Sequence, residues 1–126
     1  MKVSAIVMSI HRPSCDMLVS GQKSVIHRKR KFSKGFQKIY VYAPKPIAKI
    51  IGELEVGQIL SSDRDSIWEA TGENSCLSKG QFYKYYDSEI VYAVKIKIAV
   101  KYKESLDPKD IDPKFKAPVQ FYYLNL

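Results

Sequence analysis

Apolar and polar positions along this chain alternate at two periods, and the points where the period changes divide it into short strands and shorter helices. Residues 3–10 alternate small and apolar side chains with β-branched content, which predicts a first strand ending at His11-Arg12-Pro13. Pro13 suits a first helical turn, Cys15, Met17 and Leu18 follow at helical spacing, and Gly21 supplies a stop, so residues 14–20 read as a short helix. Residues 24–30 resume as a strand with Val25, His27 and Lys29 on one face and Ser24, Ile26, Arg28 and Arg30 on the other. A basic loop leads to a strand at 38–43, with Ile39 and Val41 opposite Tyr40 and Tyr42, closed by Pro44-Lys45-Pro46. Residues 48–60 form a long strand bent at Gly52 or Gly57.

Two helices follow, one capped by Ser62-Asp63 and ended near Gly72, the other capped by Ser78 and running over 79–86 with Phe82, Tyr83, Tyr85 and Tyr86 packed on the sheet in partial exposure. Residues 90–102 are the strongest strand signal, Tyr92, Val94, Ile96, Ile98, Val100 and Tyr102 making an apolar face. Pro108, Pro113 and Pro118 mark 104–118 as a loop before a closing strand at 119–124. Five to six strands with two to three short helices predict an α+β, mainly β class and a small mixed barrel, formed as a single domain over residues 1–126.

Composition changes this picture little: hydrophobic residues are 45% and charged residues 27%, ordinary for a folded domain. No apolar run is long enough to cross a bilayer and no secretory leader is visible, so the expectation is a cytoplasmic chain with no membrane partner, taken as a monomer. Cys15 and Cys76 are expected as free thiols. Neither these cysteines nor His11 and His27 stand at ligand spacing, so no metal and no cofactor is expected; His11 is a candidate cleft donor and His27 reads as a surface residue.

Charge changes it more. Residues 1–50 carry eleven Lys and Arg against the single acid Asp16, while residues 51–126 carry ten against twelve acids, so the net charge of +8 belongs to the N-terminal part. A basic face of that size draws polyanions, and phosphate-rich partners lead.

The run from Leu18 through Gly21, Lys23 and Arg28 to Arg30 resembles the signature of the ASCH family, written GxKxxExR, which Gly21, Lys23 and Arg28 match. The resemblance extends through Ser9-Ile10-His11-Arg12-Pro13, Val41-Tyr42-Ala43-Pro44, Ile51-Gly52-Glu53, Trp68, Leu77-Ser78-Lys79 and Tyr92-Ala93-Val94-Lys95-Ile96. It implies a PUA-like β-barrel with a cleft between barrel and first helix, and a function associated with RNA. It also implies an alternative, since one branch of the family consists of amidohydrolases acting on N4-acetylcytidine, in which a Lys activates a Thr. Here Lys23 holds the Lys place, but Ile26 stands where Thr or Glu is expected, and a hydrocarbon is neither nucleophile nor base. Ser24, and Glu73 as the downstream carboxylate, would have to serve with Lys23 if such a hydrolase survived.

Binding is the leading expectation, with RNA or another single-stranded nucleic acid as partner and a modified nucleoside as the alternative ligand. Lys23 and Arg28 are expected to hold phosphate, though Arg28 could instead pair with Glu53 inside the barrel. Ser24, His11, Arg12, Lys45 and the rim residues Lys29, Arg30 and Lys31 complete the candidate surface, with Lys34 in the same loop. Among the aromatic residues Tyr40, Tyr42, Phe32 and Phe36, Tyr42 is the one expected to stand exposed for base stacking.

Overall fold

The computed structural model of the chain describes residues 5–124. Its strands are β1 (Ala5–Ser9), β2 (Val25–Arg28), β3 (Lys38–Ala43), β4 (Lys49–Ser62), β5 (Val91–Leu106) and β6 (Phe121–Leu124). Its helices are α1 (Ser14–Val19), α2 (Arg64–Thr71), α3 (Lys79–Tyr85) and α4 (Pro108–Ile111), with a 3-10 turn at Gly72–Asn74. The strands form one sheet in the order β2-β5-β4-β3-β1-β6, in which β1 and β3 run parallel and the other neighbours antiparallel. β2 and β6 stand at opposite ends and do not pair, so the sheet curls into a half-barrel and does not close. The expected mainly β mixed architecture is the one observed, with six strands and one helix more than expected.

That extra helix lies in the stretch read as a loop. Asp107 accepts a hydrogen bond from the Lys109 amide and Pro108 takes the first turn, where its missing N–H costs nothing, so α4 forms ahead of Pro113. β5 also outruns its expected end at residue 102 and continues to Leu106, where it still pairs with Ile50 of β4. Of the first expected strand, Val3 and Ser4 lie outside the described residues. β4 shifts register against β5 between Ile50 and Gly52, between Glu55 and Val56 and between Val56 and Gln58, so irregularities fall at both glycines where a bend at one or the other was expected.

Three apolar clusters hold the sheet. Ile6, Met8, Ile39, Val41 and Leu54 of the concave face pack with Leu18 and Val19 of α1 and Ile26 of β2. Gly52 makes that docking possible: a Cβ there would collide with the Val100 carbonyl oxygen and lie 2.7 Å from Val19 Cγ1. A second cluster joins Val25, Val91 and Ala93 to Ile67 of α2 and Phe82 of α3. The third lies on the convex face, where Val7, Tyr42 and Ile50 are covered by Phe115, Tyr122 and Leu106. Tyr42 is therefore 4% exposed and packed at a tilt against Phe115, 5.0 Å between centroids, which removes it as a stacking platform. Farther along β5 the cover ends, and Ile98 and Val100 stay exposed on a face whose alternation predicted burial.

Candidate functional site

Lys23 is fixed by the turn that ends α1. Gly21 adopts φ +84°, a left-handed conformation that suits glycine, and the Lys23 amide donates to the Met17 carbonyl at 3.0 Å. The next residue is tied to a different element, the Ser24 amide donating to Asn74 of the 3-10 turn at 3.0 Å. Lys23 thus leaves the backbone between α1 and the start of β2. It forms no salt bridge with a described residue, and burial pushes its ammonium pKa down, aided by the Arg28 charge and opposed by Cys76.

Arg28 is positioned from two sides. Its Nη1 donates to the His27 carbonyl at 2.8 Å and its Nη2 lies 3.3 Å from Met8 Sδ, while register with Tyr92 fixes its backbone on β5. The Arg28–Glu53 ion pair is not formed. Glu53 is engaged elsewhere, by Lys38 Nζ at 2.8 Å and by the Tyr102 hydroxyl at 3.1 Å on the convex face. The guanidinium keeps hydrogen-bonding capacity that no carboxylate of the described residues takes up.

Lys23 and Arg28 line one cavity of about 530 Å³, together with His11, Arg12, Lys29 and Arg30. Its apolar wall is Ile10, Leu18 and Ile26, and its far side is Tyr85 and Tyr86 of the α3 end. No described carboxylate lines it. Arg12 reaches Asp16 at 2.7 Å and Lys29 approaches Asp87 at 3.8 Å, but both pairs are exposed, and water-screened pairs of this kind hold their partners weakly.

Tyr86 is buried and donates its hydroxyl to the His27 carbonyl at 2.8 Å; burial holds its pKa up at about 12. Tyr85 beside it is exposed, packs edge-on to Tyr86 at 4.7 Å, and carries Lys29 Nζ 4.5 Å above its ring. It is the aromatic surface at the mouth of the cavity. The sequence missed it because the aromatic run 82–86 reads as a helix face; the capping box at Ser78, which sets the phase of α3, was the signal available.

Of the other expected site residues, Ser24 and Glu73 do not line the cavity: the Ser24 amide bonds to Asn74 of the 3-10 turn, on which Glu73 is exposed. Lys31 lies in an adjoining groove, and Lys45 in a shallow pocket that also touches His11 and Arg12. Phe32 and Phe36 pack on each other and on Phe121 and Tyr123, which ties their loop to β6.

His27 is no surface residue. It is 3% exposed, its ring edge-on to Phe82 at 5.0 Å, and its Nε2 lies 2.8 Å from Thr71 Oγ1. The Thr71 hydroxyl hydrogen is spent on the Ile67 carbonyl at 2.7 Å, so Nε2–H donates to Thr71 and Nδ1 is left without a partner among the described residues. Burial first, then the Lys23 and Arg28 charges, lower its pKa to about 4. Cys15 is buried and Cys76 exposed, both as free thiols.

A curled, mainly β sheet with a basic cavity between its edge strand and first helix defines the class of domain. No protein-family model matches the chain. The large ribosomal subunit protein uL22 of two strains of Ureaplasma parvum serovar 3 is 29% identical over 106 residues, which are 82% of this chain and 33% of that protein. An ASCH domain-containing ribonuclease of Zymomonas mobilis is 28% identical over 82 residues, 64% of this chain and 55% of its own length. The chain therefore spans about a third and about half of these relatives. Among solved structures, ASCH from Zymomonas mobilis superposes with a TM-score of 0.84 at 24% identity, covering 96% of this chain and 87% of that one. A variant of the same protein gives 0.84 at 23% identity, covering 96% and 90%. The chain carries the ASCH-domain fold.

Proposed function

We propose that this domain binds single-stranded RNA, with a backbone phosphate between Lys23 and Arg28 and a neighbouring base on Tyr85. The observation that carries the reading is the cavity itself: Lys23 and Arg28 turn into it with no carboxylate among the described residues to satisfy them, and Arg12, Lys29 and Arg30 surround its mouth. A half-buried, unpaired ammonium beside a guanidinium is costly unless an anion joins them. The 28% identical relative whose name includes ribonuclease supports RNA as that anion. Arg28, already held by the His27 carbonyl and Met8, can present its remaining N–H groups to phosphate without first being ordered. In this reading Ile26 serves as apolar wall, and of the groups expected for amidohydrolysis Lys23 alone lines the cavity.

Fluorescence anisotropy with a labelled single-stranded oligoribonucleotide tests this. Lys23→Ala and Arg28→Ala are each expected to weaken binding by about tenfold or more and to reduce the slope of log K against log salt by about 1. Unchanged affinity in both variants overturns the assignment.

A second reading adds strand cleavage. The displacement of the Lys23 pKa toward neutrality favours it, since that is the direction a general base requires. The RNA's own 2′-hydroxyl would pass its proton to the neutral Lys23 amine and attack the adjacent phosphorus, releasing the 5′-oxygen, which takes a proton from water, and leaving a 2′,3′-cyclic phosphate. Incubation with RNA in chelator followed by end-group analysis tests it: cyclic phosphate ends that vanish in Lys23→Ala support cleavage, and intact RNA overturns it.

A further inference from the structure

The N-terminal charge asymmetry places every expected RNA contact before residue 50, yet a second basic groove opens beside the cavity and is built largely from residues 112–122. Its two walls are independent. Arg30 and Lys31 form one, on the loop that Phe32 anchors to Phe121 at 5.2 Å and that the Lys34 amide ties to the Tyr123 hydroxyl at 3.0 Å. Lys114 and Lys116 form the other, both exposed, on the segment that follows α4. The only described carboxylate in the groove is Asp112, and it is already committed, accepting from the Tyr122 hydroxyl at 2.9 Å and the Lys114 amide at 3.0 Å.

The groove and the cavity share Arg30, Val119 and Gln120, so one opens onto the other over a common sill. That sill is fixed. The Ser9 amide donates to the Gln120 carbonyl at 2.8 Å and the Ser9 hydroxyl to the Pro118 carbonyl at 2.7 Å, which pins residues 118–120 to the end of β1. Val119, at 94%, is the most exposed large hydrophobic residue described and stands on this sill. An apolar side chain held out between two cationic depressions suits a chain that alternates apolar base faces with charged phosphates.

We infer that an RNA strand seated in the Lys23–Arg28 cavity leaves it over Val119 and continues along the groove between Lys31 and the pair Lys114 and Lys116. This rests on the RNA-binding reading of the cavity and extends it from a single-nucleotide pocket to a path. Phosphates beyond the cavity meet Lys31, Lys114 and Lys116, and the base at the crossing lies on Val119. The consequence is an affinity that depends on length: a dinucleotide meets only the cavity, while an oligomer of about ten nucleotides covers both.

The test is anisotropy with labelled oligoribonucleotides of those two lengths on the full chain. A Lys114→Ala, Lys116→Ala double variant is expected to bind the longer RNA about tenfold more weakly, with a salt slope reduced by about 2, and to bind the dinucleotide as the parent does. Lys31→Ala, which lines the groove and not the cavity, should reproduce the length-selective loss. Equal effects on both lengths, or on neither, overturn the path. If the longer RNA depends on Lys114 and Lys116 but not on Lys23 or Arg28, the groove stands and the cavity reading falls. If an acidic peptide binds the groove as tightly as RNA does and loses affinity equally in the double variant, the assignment of the groove to RNA is overturned.

Discussion

His27 shows how a single side chain next to the cavity couples it to the core. Its ring is buried against Phe82 and donates to Thr71, and its lowered pKa of about 4 keeps it neutral near pH 7. Between pH 6.5 and 4 the unfolded chain binds a proton at this ring that the folded chain refuses. Stability is therefore fully present above pH 6.5 and falls with pH through that window, by about 3 kcal/mol at most. Urea midpoints at pH 7 and pH 5 check it: the parent should lose stability at the lower pH, and His27→Gln, which keeps a donor for Thr71 but does not titrate, should lose less. A parent and variant with equal pH slopes would contradict this account. At the cavity mouth, Tyr85→Ala should weaken RNA binding by about 1 to 3 kcal/mol, while Tyr85→Phe, which retains the ring face, should restore it in the same anisotropy assay.

At the scale of elements, docking α1 onto β4 depends on Gly52. Gly52→Ala must push the Cβ into the Val100 carbonyl and Val19, and is expected to destabilise the domain by about 1 to 3 kcal/mol by chemical denaturation. Because α1 carries one wall of the cavity, RNA affinity should fall in the protein that remains folded. Ser78→Ala removes one half of the α3 capping box and should cost about 1 kcal/mol. Most of these elements were legible beforehand: Asp63 and Ser78 cap where expected, β3 spans the expected residues, and the bends of β4 fall at its glycines. What was not legible depended on long-range cover. Alternation in β5 says that Ile98, Val100 and Tyr102 share a face, but not that residues 106–115 cover only one end of it. The same cover buries Tyr42. His27 went astray because α2 and α3 close over β2, a contact between segments more than forty residues apart in sequence.

Across the whole molecule, charge segregation in the sequence indicated where an anion would bind, and the fold divides that charge. Lys23 and Arg28 are positioned inside, Arg12, Lys29 and Arg30 stand around them, and Lys45 falls in a separate pocket. The charge count did not show that Lys114 and Lys116, from the acidic part of the chain, come back beside Lys31. Nor did it show that Glu53 turns to Lys38 on the other face, leaving Arg28 without a carboxylate among the described residues. The most direct measurement is a titration of isotopically labelled protein with single-stranded RNA, following backbone amide resonances. The account predicts shifts concentrated at residues 9–12, 23–30 and 85–86, joined by 31 and 114–120 when the RNA is long enough to leave the cavity. Shifts confined to the convex face around Ile98 and Val100, with the Lys23 and Arg28 amides unmoved, would contradict it.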